Sequence, residues 1–269
     1  MSTPDIAVIG GSGFYTFLDD PETVEVETPY GPPSAPIAVG TVGDRSVAFL
    51  PRHGAGHEFP AHRVPYRANL WALRSLGVRQ ILAPCAVGGL QAEYGPGTYV
   101  VPDQVVDRTT ARVQTYYDEG ANHISFADPY CPRLRRHLVD GLDGHAPVDG
   151  GAMVIIEGPR FSTRAESQWY AGQGWAVIGM TGHPEAVLAR ELALCYSTVA
   201  LVTDHDAGVD EAEAVTVDEV FKVFAEHTDT LKSVLTDVVG AVGTDRDCAC
   251  PHAVDGMDLP FELPDSGAT

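Results

Sequence analysis

The sequence predicts an α/β fold, a single domain with a central mixed, largely parallel β-sheet flanked by helices. Three observations lead there. Short apolar runs alternate with helical periodicities along nearly the whole chain, glycines or small residues follow many of the runs, and 269 residues are enough to bury one large core. In an open sheet of this kind, ligands lie at the carboxyl ends of the strands.

The strand candidates, in order, are "IAVIG", "VAFLP", "QILAPCAVG", "TYVVPDQVV", "AMVIIEG", "AVIGM" and "TVALVTD", aliphatic runs set off by breakers. The helix candidates are "YRANLWALRSLG", "CPRLRRHLVDGL", "RAESQWYAGQG", "PEAVLARELALCY" and "TVDEVFKVFAEHTDTLKSVLTDVVGAV", whose apolar residues recur every three or four positions. Thr163 and Glu166 have the spacing of a capping box at the start of the third. Periodicity persists to residue 244, so the domain is expected to span 1–244. The remaining segment, 245–269, is expected to be irregular and to drape over the surface or over a neighbour.

The formal charge is −20, and only Lys222 and Lys232 of the 17 basic residues are lysines. Such a surface repels nucleic acid and anionic membranes, so neither is expected as a partner. It suits solubility in high salt as well as a plain preference for arginine. No apolar run reaches the roughly 18 residues of a membrane span. The polar "MSTPD" passes straight into "IAVIGGSGF" with no basic leader, which predicts a cytoplasmic protein. Five cysteines are too few and too scattered for a secreted disulfide framework. Cys248 and Cys250 lie close together with His252 nearby, but one Cys-x-Cys plus a histidine lacks the second ligand pair of a structural zinc site. No metal is expected; a redox-labile pair, a local disulfide or an unremarkable tail all suit the spacing.

The strand ends carry the chemistry. In "IGGSGF" the glycines let backbone N–H groups close around an anion and Ser12 adds a hydroxyl, although a tight turn alone would look the same. "PRHGAGHEFPAHR" crowds Arg52, His53, His57 and His62 into one loop of a chain poor in positive charge. The planar fork of Arg52 suits phosphate. A surface loop paired with acids, or a three-histidine zinc set, would draw on the same residues. Gly88 and Gly89 end a buried strand and present backbone, Glu157 and Phe161 stand between a strand and a helix, and so do Met180 and Thr181. Met180 reads as core or as contact. In "LVTDHDAG", Asp204 and Asp206 stand one residue apart after an apolar run; alternate residues of an extended chain share a face, so both acids point into one volume.

Taken in order, "IGGSGFY", "PRHG", "PYRANLWAL", "PDQVVDRT", "EGPRFSTRAES", "GMTGHPEAVLARE" and "CYSTVALVTD" resemble the motifs of the trimeric purine nucleoside phosphorylases, closest to the branch that cleaves 5′-methylthioadenosine. The resemblance implies a nucleoside-phosphorylase-like fold, a homotrimer, and phosphorolysis of a small-molecule nucleoside with inorganic phosphate as co-substrate and no cofactor. By the same likeness Ser12, Arg52, His53, the backbone at Ala86, and Thr181 hold phosphate. Phe161 and Met180 pack against base and ribose, and Ser162 meets the pyrimidine edge of the base. Val217 and Val220, with the partner subunit's His123, form an apolar pocket for the 5′ group. Gly179, Gly182 and Cys85 depart from the residues usual in that branch.

The chemistry agrees with this reading. N-glycosidic cleavage passes through an oxocarbenium-like state, which a phosphate dianion beneath the sugar stabilises while held in line for attack. The leaving purine gains electron density at N7, so an acid there lowers the barrier. Asp204 and Asp206 are expected to do this work, one managing the N7 proton and the other accepting from a 6-amino group. A 6-oxo base would set a carbonyl oxygen against them and leave them unpaired. The expected reaction is therefore conversion of 5′-methylthioadenosine to adenine and 5-methylthioribose 1-phosphate, in purine and methionine salvage. Phosphorolysis of methylthioinosine or of 6-oxopurine nucleosides is the alternative. Two further expectations are that Arg52 touches only the anion, and that the polar segment "NHISFADPYCP" presents His123, Phe126 and Tyr130 to a partner.

Overall fold

The computed structural model describes residues 3–207 and 216–265, with only the backbone of Val217 and Glu219. In chain order the strands are β1 (Ile6–Gly10), β2 (Glu22–Val24), β3 (Ile37–Val42), β4 (Arg45–Pro51), β5 (Gln80–Leu82), β6 (Cys85–Gly89), β7 (Tyr99–Val101), β8 (Gln104–Arg108), β9 (Val148–Asp149), β10 (Ala152–Ile156), β11 (Val177–Gly179), β12 (Cys195–Ser197) and β13 (Ala200–His205). The α-helices are α1 (Tyr66–Ser75), α2 (Pro132–Gly141), α3 (Arg164–Gly172), α4 (Gly182–Glu191) and α5 (Val217–Ala241). None of the described helices is long and apolar enough to cross a membrane.

The α/β class and the mixed, largely parallel pairing hold, but hydrogen bonding sorts the strands into two sheets. One has the order β12-β5-β1-β4-β3-β2 and the other β8-β10-β11-β6-β13-β7-β9. The two are continuous along one ribbon. β5 runs on into β6 and β12 into β13, and the parallel pairing is carried across by Ala83 N–H to Ser197 O at 2.9 Å and Cys85 N–H to Val199 O at 3.0 Å. Pro84 cannot donate to a ladder, which is why "QILAPCAVG" becomes two strands rather than one.

In β1, Ala7 and Ile9 face one core with α1 and α4, while Ile6 and Val8 face another with α2 and α5. A strand covered on both faces has no polar side, so "IAVIG" is apolar throughout. The capping box starts α3: Thr163 Oγ1 accepts from Glu166 N at 3.3 Å and Glu166 Oε2 accepts from Thr163 N at 2.8 Å. The helix read through "ALCY" ends earlier. Ala193, at φ 51°, turns left-handed, and the Leu194 and Ala193 amides bond back to Ala189 O and Arg190 O, a Schellman closure. Cys195 and Tyr196 then open β12.

Residues 245–265 contain one short 3₁₀ turn, Cys250–His252, and otherwise follow the body of the chain. Phe261 meets Trp71 and Tyr116 edge-on, and Asp265 pairs with Arg79 at 2.5 Å.

Candidate active site

The ends of β1, β4, β10, β11 and β13, the β5–β6 junction and one face of α5 converge on a cavity of about 290 Å³. Ser12, Arg52, His53, Ala86, Phe161, Ser162, Met180, Thr181, Asp204, Asp206 and Val220 all line it. Two of the expected residues are not placed there. The side chain of Val217 lies outside the described residues, and His123 is exposed on the 109–131 connection, away from the cavity of its own chain. The companions expected beside His123 belong to the chain's own interior instead. Tyr130 is 2% exposed and stacks on Tyr196, and Phe126 packs against the α1–α4 core.

Arg52 departs from the expectation that it touches only an anion. It is 1% exposed; Nε donates to Glu185 Oε1 at 2.7 Å and Nη2 to Glu185 Oε2 at 2.8 Å. Glu185 is fully buried and also accepts from Tyr196 Oη at 2.8 Å. Nη1 is the nitrogen left free of a carboxylate, with Pro84 O at 3.3 Å. A Cβ at Gly11 would lie 2.9 Å from Nη1, so only glycine lets the fork sit this close to the first turn.

His53 donates Nδ1–H to Phe59 O at 2.8 Å, which leaves Nε2 as an acceptor. Burial and the neighbouring Arg52 charge lower its pKa to about 4, so the ring is neutral at pH 7. His57 stacks on it at 4.7 Å between ring centroids and bonds Tyr15 Oη at 2.8 Å. His62 lines a second cavity, so the three histidines of this loop do not converge on a metal.

The two aspartates do share one volume. A Cβ on Gly88 would stand 3.2 Å from both Asp204 Oδ2 and Asp206 Cβ, so glycine at this point of β6 leaves room for them. They reach it although β13 carries an irregularity between Val202 and Asp204. Asp204 Oδ1 accepts from Thr203 Oγ1 at 2.8 Å. Asp206 is 3% exposed, and burial pushes its carboxyl above the ordinary carboxylate range, partly countered by the nearby Ser167 and Ser162 hydroxyls. Neither hydroxyl reaches good hydrogen-bond geometry. Asp206 Oδ2 and Ser162 Oγ are buried with no hydrogen-bond partner among the described residues. Buried polar groups left open in a cavity point to a ligand that completes them.

Two positioning residues were missed from the sequence. Glu185 holds Arg52 from 133 positions away. Arg112 donates Nη1 to Met180 O at 2.7 Å and His183 O at 2.6 Å, and Nη2 to Glu157 O at 2.7 Å, fixing the ends of β10 and β11 against each other. Neither partnership has a local spacing to betray it. His57 and Phe221 also line the cavity; the first stood out only as one of the crowded histidines.

The premise that removed metal from consideration is corrected as well. Cys131 and Cys195 supply the second pair that the tail lacks in sequence, and the ligand atoms of Cys131, Cys195, Cys248 and Cys250 all lie within 4.8 Å of one another. His252 is not among them; it bonds Asp255 at 2.8 Å.

A profile of the Phosphorylase superfamily matches residues 5–240. The chain belongs to that family. A Mycolicibacterium smegmatis protein named S-methyl-5′-thioadenosine phosphorylase is 60% identical over 260 residues, 96% of this chain and 99% of that one. A Streptomyces coelicolor protein named purine nucleoside phosphorylase is 57% identical over 273 residues, 97% of this chain and 98% of that one. The structure of methylthioadenosine phosphorylase from Schistosoma mansoni in complex with adenine superposes with a TM-score of 0.86 at 36% identity, covering 90% of this chain and 93% of that chain.

Proposed function

We propose that the chain cleaves 5′-methylthioadenosine with inorganic phosphate, giving adenine and 5-methylthioribose 1-phosphate. The carrying observation is the meeting in one cavity of an anion-ready set, Ser12, Arg52, His53 and Thr181, with two aspartates, one of which has a buried oxygen open. A phosphate oxygen forms a bond to C1′ as the C1′–N9 bond breaks. The electron pair of that bond moves into the purine, and the aspartate side shares or supplies the proton taken up at N7. The neutral His53, with Nε2 as acceptor, suits a phosphate that still carries one O–H. Phe161, Met180 and Ser162 line the space left for base and ribose. The chemistry uses no cofactor.

The relatives' names divide between methylthioadenosine and purine nucleoside phosphorylases. The deciding experiment is phosphate-dependent base release from methylthioadenosine, adenosine, methylthioinosine and inosine in parallel. Methylthioadenosine is expected to be the fastest, with no release when phosphate is omitted. Faster inosine turnover, or release without phosphate, overturns the reading.

The reading includes a closed trimer whose 5′ pocket is finished by the partner subunit's His123. It is supported by Val220 and the 37% exposed Phe221 at the cavity wall and by His123 standing exposed outside it. His123→Ala is expected to raise KM for methylthio substrates without changing KM for phosphate. A stable, fully active monomer in sedimentation would rule out the shared site. The reading includes a cytoplasmic location, which the five cysteines support by standing as free thiols, as suits a reducing compartment.

A further inference from the structure

We infer that Cys131, Cys195, Cys248 and Cys250 form a tetrathiolate site for a structural zinc ion that ties the C-terminal tail to the body of the fold. The Cys195 and Cys248 sulfurs are 3.5 Å apart, those of Cys131 and Cys248 are 3.7 Å apart, and all four lie within 4.8 Å of one another. Four sulfurs placed tetrahedrally at about 2.3 Å from zinc define edges of about 3.8 Å. The thiols thus already stand at nearly the spacing of ligands around a shared centre.

Two of the ligands come from rigid elements. Cys131 precedes α2, and its amide bonds Tyr196 O at 2.8 Å, which sets it beside Cys195 at the start of β12. The other two enter from the tail, one residue apart, at the turn Cys250–His252. Cys131, Cys195 and Cys250 are buried and Cys248 is partly so. The set contains no carboxylate or imidazole, and all-thiolate ligation selects soft transition ions over magnesium or calcium.

Four protein ligands close a tetrahedron and leave no position for water or substrate, which marks a structural site. None of the four lines the active-site cavity. On binding, the four thiols give up their protons, and the resulting centre carries two net negative charges. The N-terminus of α2 favours a thiolate at Cys131. Arg133, whose Nε lies 3.7 Å from an Asp247 carboxylate oxygen, brings a positive charge next to the residue preceding Cys248. Beyond the site the tail carries Phe261 onto Trp71 and Tyr116, so the ion would hold the near end of a segment whose far end is already packed.

The test is elemental analysis of the full chain, produced with zinc in the medium and purified under reducing conditions. About one zinc per chain should survive dialysis and be released as a mercurial titrates the thiols. Cobalt(II) in zinc's place should give sulfur-to-metal charge-transfer absorption and tetrahedral ligand-field bands. The double variant Cys248→Ser, Cys250→Ser should lose the metal and melt at a lower temperature, whereas Cys85→Ser, outside the cluster, should keep it. The measurement on the unaltered chain stands whether or not the variants fold. Metal-free protein with freely titrating thiols overturns the proposal. So does a mass lowered by the hydrogens of one or two disulfides in freshly isolated protein, or iron bound instead of zinc.

Discussion

Arg52→Ala is expected to lose about 3–5 kcal/mol of stability, because it strands the Glu185 carboxylate in the interior. Both partners are at most 1% exposed, and the fork spends two of its three nitrogens on that carboxylate at 2.7 and 2.8 Å. Tyr196 Oη would remain as a side-chain hydrogen-bond donor to Glu185. At about 2–4 °C per kcal/mol for a chain of this size, the melting temperature should fall by roughly 6–20 °C. Glu185→Ala should cost as much from the other side, by leaving the guanidinium unpaired. Arg52→Met combined with Glu185→Leu should regain much of the loss, since apolar replacement of a whole buried pair is often neutral. That double variant should still fail to bind phosphate, which separates the stabilising role of Arg52 from its ligand role. An Arg52→Ala melting curve that superimposes on that of the unaltered chain would show that the pair is not held as described.

How far the sequence carries can be judged from such residues. Most of the strand and helix order was legible because continuous apolar runs and the 3.6 period are local signals, and the capping box was legible because it spans four residues; β3 and β9 were not among the candidates. Asp204 and Asp206 were placed correctly on one face by the same local rule, even across the irregularity in β13. The edge strand β2 was not legible. "ETV" is short and mostly exposed, so it carries no apolar signal. β12 was hidden because "LALCYSTVALV" is apolar except at Ser197 and Thr198, and the helix stop depends on the backbone at Ala193, a residue type that does not advertise a left-handed turn. Glu185, Arg112 and the pair Cys131 and Cys195 were invisible for another reason. Their importance comes from partners brought near by the fold, across separations at which single-sequence spacing holds no information.

Asp204→Asn together with Asp206→Asn is expected to move preference from 6-amino toward 6-oxo purines. The change exchanges two carboxylates for groups that can donate to a carbonyl oxygen, at about 1–3 kcal/mol per buried polar group, or roughly 5- to 150-fold in the ratio of kcat/KM for each. Asp206 should account for the larger part. It is 3% exposed with Oδ2 unpartnered, whereas Asp204 is less buried and already accepts from Thr203. Asparagine keeps the shape of the side chain and removes a buried charge, so folding should survive and melting curves can verify it. The pH profile gives a second readout. Burial raises the Asp206 pKa, so its proton is retained to higher pH than that of an exposed aspartate, and any activity that needs the protonated form is lost as pH rises through that raised value. The double variant should lack this limb. Parallel kcat/KM values for adenosine and inosine, and for their methylthio forms, measure the shift; an unchanged ratio would show that the aspartates do not face the base.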